Sequence, residues 1–207
     1  MDVILWGGRT QAVVDESILR QNGHRVIAVF DDSDPLPESP LINVPIRRGS
    51  RFPNMIREEC GFVVTFAHPN GLGRVKKSLE LAALGMKPLS AIHRTAYIDA
   101  DATLGIGNQV MPKVVIMPRA KIGDFCLINT GTQIDHDCDI GDGCELGPGA
   151  VLCGIVTMEP GATVFANATV GPRVKIGLGA TVGAGAVALH DIPAGETWVG
   201  NPARRLG

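Results

Sequence analysis

A chain of 207 residues is long enough for one large or two modest domains, each with its own core. Its formal net charge of -2, with 19% charged residues of both signs interspersed, leaves no footprint for nucleic acid or an anionic membrane and favours a small-molecule partner. Hydrophobic residues reach 45% only in short runs, far below the roughly 20 in succession that span a bilayer, so no membrane insertion is expected. The five cysteines form no CxxC and no Cys/His pair at ligand spacing, which argues against zinc or redox chemistry.

In chain order, residues 3–6 read as an apolar strand with no basic segment or cleavage site before it, which points to the cytoplasm. A helix is predicted over 11–22, closed by Gly23, then a strand over 25–30 ending in Asp31-Asp32, together a βαβ unit. A Pro- and Ser-rich loop at 33–40 follows, then a short helix at 54–59, a strand at 62–66 and a helix at 72–84. Residues 1–90 should therefore form a small α/β domain with a Rossmann-like parallel sheet. The turn Gly7-Gly8-Arg9-Thr10-Gln11 sits at the carboxyl end of the first strand, where such sheets bind ligands and backbone N–H groups can face a phosphate. It is not a GxGxxG, and two readings stay open. One is a nucleotide or nucleotide-sugar loop with Asp31 or Asp32 reaching a ribose or base; the other is a plain tight turn before a helix.

From about residue 96 to 184 the periodicity changes. Stepping by six, Ile98, Leu104, Val110, Ile116, Ile122, Ile128, Ile134, Ile140, Leu146, Leu152, Met158, Val164, Val170, Ile176 and Val182 are all aliphatic or Met. Two residues before each stands a mostly small one, such as Ala96, Ala120, Cys126, Cys138, Cys144 or Ala162. A period of six fits neither a helix nor a free strand; it is that of a solenoid of short parallel strands, three hexapeptides to a triangular coil. About five coils are expected, with the cysteines at 126, 138 and 144 packed inside. Glycine often follows the aliphatic position, as at Gly105, Gly123, Gly141, Gly147 and Gly177, and is assigned to sharp corners that need positive φ. The fold class is thus an N-terminal α/β domain followed by a left-handed parallel β-helix over 91–190, with a C-terminal extension at 191–207.

Of the five histidines, His24 begins a strand, His68 ends one, His93 lies in the connector and His190 beyond the regular repeat. His136 stands two residues past Ile134, so its side chain should point outward from a corner, beside Asp135 and Asp137. A carboxylate beside an imidazole can hold one tautomer and make it a better base. No set of three histidines for zinc occurs within the repeat.

The segment Ile128-Asn129-Thr130-Gly131 to Ile134-Asp135-His136-Asp137-Cys138 resembles the active-site motif of bacterial nucleotide-aminosugar N-acetyltransferases of the bacillosamine and perosamine type, related to sialic-acid O-acetyltransferases. The likeness extends over the N-terminal domain, the connector Ala91-Ile92-His93, the repeat and the closing Val199-Gly200-Asn201-Pro202-Ala203-Arg204. It implies homotrimers with active sites between adjacent β-helices, acetyl-CoA as co-substrate, no metal, and a nucleotide-linked amino sugar as partner. By motif, His136 matches the general base, Asp137 the acid beside it, Asn129 a polar residue of the pocket and Gly154 the oxyanion donor. Ala166 and Ala184 fall along the pantetheine arm, and Pro202 in the extension that contributes to CoA binding. Gly7, Gly8, Gln11, Asp31, Asp32, His68 and Asn70 fall on the sugar-nucleotide side. His136 would take a proton from the sugar amine as it attacks the thioester directly.

Three departures bear on this resemblance. The family's loop histidine is replaced by Gln11, its Gly-Asn-Asn by His68-Pro69-Asn70, and a second histidine nine residues after the base by Glu145, which would alter the acetyl pocket. A sugar O-acetyltransferase and a non-catalytic β-helix binding module are the alternatives.

Overall fold

The computed structural model describes residues 1–49, 60–67 and 70–207. The helix expected at 54–59 and the residue His68 lie outside the described residues. Near the N-terminus, β1 (Asp2–Trp6), β2 (Arg25–Asp31), β3 (Ile46–Arg48), β4 (Gly61–Val64) and β5 (Lys87–Pro88) form a parallel sheet in the order β3-β2-β1-β4-β5. Helix α1 (Thr10–Gln21) joins β1 to β2, and α2 (Gly71–Ala83) joins β4 to β5. Alternate residues of the strands feed two apolar clusters. Val3, Leu5, Val29 and Val63 are continuous with the interior of the repeat, whereas Ile4, Trp6, Phe30, Phe62 and Val64 pack with Leu81 of α2. Burial on both sides explains why these strands read as unbroken apolar runs.

The chain leaves β1 toward β2 on one side and continues from β4 to β5 on the other, so the crevice between β1 and β4 is the topological switch point. Strand β4 stops at Val64, short of the expected residue 66. Thr65 turns away because its hydroxyl donates to the Gly7 carbonyl (2.7 Å), which ties the two strand ends together and opens the crevice.

The remaining chain is a triangular prism of two-residue parallel strands, each pairing with the one 18 residues on, as in Val115 with Gln133 and Gln133 with Val151. The repeat starts one hexapeptide earlier than expected, at Ala91–Ile92, and holds register to Val187–Ala188. The step then shortens to 16: Thr181 pairs with Thr197, and Ile176 bridges Ile192. The C-terminal extension thus caps the prism, with Thr197–Val199 added to one face.

The three faces differ in what they turn outward. On the first face, which begins at Ala91–Ile92, Gln109, Leu127, Glu145 and Thr163 are buried beneath the N-terminal domain. On the second, the outward residues are Tyr97, Val115, Gln133, Val151, Thr169 and Val187, with no charge among them. On the third they are Thr103, Lys121, Asp139, Thr157 and Lys175, mostly exposed.

The corner glycines need a correction. Positive φ falls three residues after the aliphatic position, on Gly107, Lys113, Arg119, Phe125, Gly131, Asp137 and onward. The glycine directly after it has no such φ; its role is steric. A Cβ on Gly147 would lie 2.5 Å from the Ala166 nitrogen, and one on Gly177 2.5 Å from that of Ala194. These residues are glycine because the next coil's backbone passes too close for a side chain. The interior cysteines donate to carbonyls across the prism, Cys126 to Gly141 (3.2 Å) and Cys144 to Glu159 (3.2 Å). Burial pushes the Cys126 thiol up to about 12, so it stays a neutral packing group.

Candidate active site

A cleft of about 620 Å³ opens at the switch point, lined by Gly7, Arg9, Gln11, Asp31, Asp32, Phe66 and Asn70 among others. Its floor is the start of α1, where the first-turn amides and the Arg9 cation favour an anion. Asp31 is only partly available. Its Oδ2 accepts the Gly8 amide (2.6 Å) and its Oδ1 the Ser33 amide (2.7 Å), so it shapes the loop. Burial pushes its carboxyl up, but the bonds from Ser33 and Gly8 outweigh that and hold it below the ordinary range. Gly8 spends its N–H on this bond and does not line the cleft. Asp32 is the more exposed carboxylate, accepting Trp6 Nε1 (3.2 Å), with the Lys77 ammonium 4.0 Å away and 4.6 Å from the Trp6 ring centroid. Sequence reasoning missed Arg9, Thr65 and Phe66 as lining residues. Their signal was position, since each lies within three residues of a strand end at the switch point.

Behind Gln11 lies a buried polar network that joins the two units. Gln11 donates to the Asp15 carboxylate (3.3 Å) and to Gln109 (3.5 Å), whose own amide donates to the Val64 carbonyl (2.9 Å). Arg74 of α2 is fully buried and donates to the Phe125 (2.7 Å), Gly143 (3.2 Å) and Cys144 (3.3 Å) carbonyls, and to that of Phe66. Glu145 lies 3.8 Å from Arg74 on the covered first face. Glu145, expected to bear on an acetyl pocket, lies within this chain at the contact between the two units. Burial raises Asp15 to about 7, against the lowering effect of Gln11 and Arg74.

His136 occupies the corner between the second and third faces, as its register predicts. Its Nδ1 lies 2.7 Å from Asp137 Oδ2, and its backbone N–H is held by Asp135 Oδ1 (2.7 Å). Asp137 is at φ 58°, and both its oxygens accept from Arg119 one coil earlier, from Nε (2.6 Å) and from a terminal nitrogen (2.7 Å). The Arg119 hydrogen bonds, then the one to His136, hold the Asp137 carboxyl well below the usual range. A carboxylate can only accept, so Nδ1 carries a proton, and in the neutral ring Nε2 is the nitrogen with the lone pair. That edge faces Gly154, where an added Cβ would lie 2.7 Å from Nε2. Arg119 was not anticipated from sequence, although it stands 18 residues before Asp137 and hence directly beneath it.

Gly154 has a second property. Five corners have proline two residues past the aliphatic position (Pro112, Pro118, Pro148, Pro160 and Pro172); at the others the amide there takes no part in the ladder between coils. Side chains cap it at Thr130 (Asn129, 2.8 Å), at His136 (Asp135) and at Ile106 (Asp124, 2.8 Å). At Gly154, Ala166 and Ala184 the same amide has no hydrogen-bond partner among the described residues. An open N–H beside the lone pair of an imidazole can stabilise an oxyanion while a proton is removed.

The predicted residues are not all brought together within one chain. His136, Asp137 and Gly154 share one corner. Asn129, Ala166 and Ala184 lie on the opposite edge of the second face, between it and the first, and Pro202 follows the strand that caps the first face. The cleft lining comes wholly from residues up to Asn70. Among the described residues no group of three or more His, Cys, Asp or Glu is placed to hold a metal ion, and no helix is long and apolar enough to cross a membrane.

Comparison with known proteins places this geometry. A profile of the family described as bacterial transferase hexapeptide (six repeats) matches residues 119–154. Over 206 residues the chain is 30% identical to GDP-perosamine N-acetyltransferase of Escherichia coli O157:H7, covering 97% of this chain and 92% of that protein. The fold matches the crystal structure of PerB from Caulobacter crescentus in complex with CoA and GDP-perosamine at a TM-score of 0.92 and 32% identity, over 100% and 98% of the two chains. It also matches the acetyltransferase domain of PglB from Neisseria gonorrhoeae in complex with acetyl coenzyme A, at 0.87 and 26% identity over 99% and 98%.

Proposed function

The chain belongs to the bacterial nucleotide-aminosugar N-acetyltransferases of the hexapeptide-repeat β-helix superfamily, acetyl-CoA-dependent enzymes, and on that footing we propose that His136 is its general base and a GDP-linked amino sugar of the perosamine kind its acceptor. The observation that carries the assignment of the base is the facing pair of an imidazole Nε2 and the open Gly154 amide. His136 Nε2 takes the proton from the sugar amine as its nitrogen attacks the thioester carbon. The Gly154 N–H holds the oxygen of the tetrahedral intermediate, and CoA leaves as a thiolate whose pKa of about 8.5 requires no dedicated acid. Asp137 keeps the proton on Nδ1 throughout.

The edge with the Ala166 and Ala184 amides, one coil apart and both open, suits the two amide carbonyls of a pantetheine arm running along the prism toward Pro202. That edge and the His136 corner flank the uncharged second face, which suits a homotrimer in which the neighbour's edge completes each site. Arg9 and the start of α1 would hold the diphosphate, and Asp32 the base or ribose. Acetyl-CoA as donor and free buried thiols suit the cytoplasm.

The test is thiol release from acetyl-CoA by the purified chain with GDP-perosamine, beside the matching sugar nucleotide that bears a hydroxyl in place of the amine. Turnover with the amine alone is expected. His136→Ala should lower kcat by about 10²–10⁴; full activity in that variant would sink the assignment. Turnover of the hydroxyl compound instead would make the enzyme an O-acetyltransferase, and no turnover with no acetyl-CoA binding in calorimetry would leave a binding module.

A further inference from the structure

We propose that Arg119 is a positioning residue for the transfer: its guanidinium clamps Asp137 from the coil below, so that the carboxylate holds the His136 imidazole in the orientation and tautomer the reaction needs. The inference rests on the reading of His136 as base. Three features of the corner carry it. First, Arg119 and Asp137 occupy the same corner position on successive coils, both at positive φ (60° and 58°), so their side chains leave the prism in parallel. Second, the contact is a two-point fork, Nε to Oδ1 at 2.6 Å and a terminal nitrogen to Oδ2 at 2.7 Å, which fixes the plane of the carboxylate as well as its place. Third, Oδ2 is the oxygen that also accepts His136 Nδ1, so the fork and the imidazole share one atom. Without the fork, the one side-chain bond left to Asp137 is that to His136 Nδ1, which does not fix the plane of the carboxylate.

The clamp also acts on the carboxylate itself: the two hydrogen bonds from Arg119 hold Asp137 well below the usual carboxylate range, so it stays an acceptor for His136 Nδ1. The other charged groups near the pair are Asp135, whose Oδ1 is engaged by the His136 backbone, and Asp101, which acts on Arg119 from the coil below. On the coil above, Gly154 and Ile155 carry no charge.

A purely structural role predicts almost nothing from loss of the arginine, since exposed ion pairs contribute little to stability. Arg119→Gln and Arg119→Lys, each alone and with Asp137→Asn, separate the two. With acetyl-CoA and GDP-perosamine, Arg119→Gln should lower kcat about 10- to 100-fold with both KM values within threefold and an unchanged melting temperature. Arg119→Lys, which keeps the charge but not the fork, should restore only part of kcat. On the Asp137→Asn background, Arg119→Gln should cost less than threefold, because its effect passes through that carboxylate. Activity of Arg119→Gln within twofold of wild type across pH, an equal loss on both backgrounds, or a loss confined to the KM for acetyl-CoA would each overturn the proposal. An inactive His136→Ala beside an unaffected Arg119→Gln would overturn it alone; an active His136→Ala would remove the base reading and this one with it.

Discussion

Substituting Gly154 by alanine separates a steric role at the base from a stability role in the coil. The added Cβ would stand 2.7 Å from both Nε2 and Cε1 of His136. Ordinary contact is about 3.5–4.0 Å, so the ring must retreat by about 1 Å. It is the end of a half-exposed side chain, and Gly154 lacks the positive φ that would strain an alanine, so the move costs little folding energy. It does withdraw the lone pair from the place where the amine nitrogen sits, and a displacement of about 1 Å at the reacting atoms costs on the order of 10² in rate. The expected result is therefore a kcat about 100-fold lower by thiol release, with a melting temperature within about 2 °C of wild type, the scale of less than about 1 kcal/mol in a chain this size. A Gly154→Ala enzyme with kcat within threefold of wild type would refute the placement of His136 over this glycine. One that melts many degrees lower would refute the steric argument.

Three further outcomes follow from the packing. Asp15 is buried with its carboxyl raised from 3.8 to about 7, so the folded chain keeps a proton that the unfolded chain has released, and stability falls as pH rises from about 4 to 7. The loss is at most on the order of 4 kcal/mol, and in urea melts at pH 5 and 7.5 Asp15→Asn should lose less stability than wild type; equal losses would contradict the shift. Arg74→Ala strands the Phe125, Gly143 and Cys144 carbonyls and removes the guanidinium that lies 3.8 Å from Glu145, at a cost of about 3–5 kcal/mol, or roughly 10 °C by calorimetry. Gly147→Ala, whose Cβ meets the Ala166 backbone at 2.5 Å, should destabilise far more than Gly131→Ala, which has φ 72° but nothing within 4 Å and costs only the 1–2 kcal/mol or so of left-handed strain. Equal thermal shifts for the two would undo the distinction between the two kinds of corner glycine.

The β-helix and its site were legible to different depths, and the boundary follows from geometry. A repeat of six with three strands to a coil makes residue number a coordinate, and any two positions 18 apart are stacked. That arithmetic placed His136 outward and Gly154 above it, as found. Arg119 obeys the same arithmetic with Asp137, but the expectation stopped at the acid beside the histidine and did not ask what lay one coil below. The corner glycines were visible as a pattern and misread as to cause, because a sequence shows that a side chain is absent and not whether φ or a neighbouring backbone forbids it. In the N-terminal domain no such coordinate exists. Asp31 looks like a ligand residue in the sequence, yet its carboxylate is drawn inward by the Gly8 and Ser33 amides, a consequence of how β1 and β2 end side by side.

The same arithmetic bears on which of the proposed site positions one chain can bring together. Positions 136 and 154 differ by one coil and share a corner; 166 and 184 are also spaced by 18 but offset from the first pair by two hexapeptides, which rotates them to another corner of the triangle. A straight prism cannot bring two of its own edges together across a face. If a base on one edge and a thioester on the other are to meet, the second edge must come from another copy. The face between them is where that copy must sit, and it is the face whose outward residues, from Tyr97 to Val187, carry no charge.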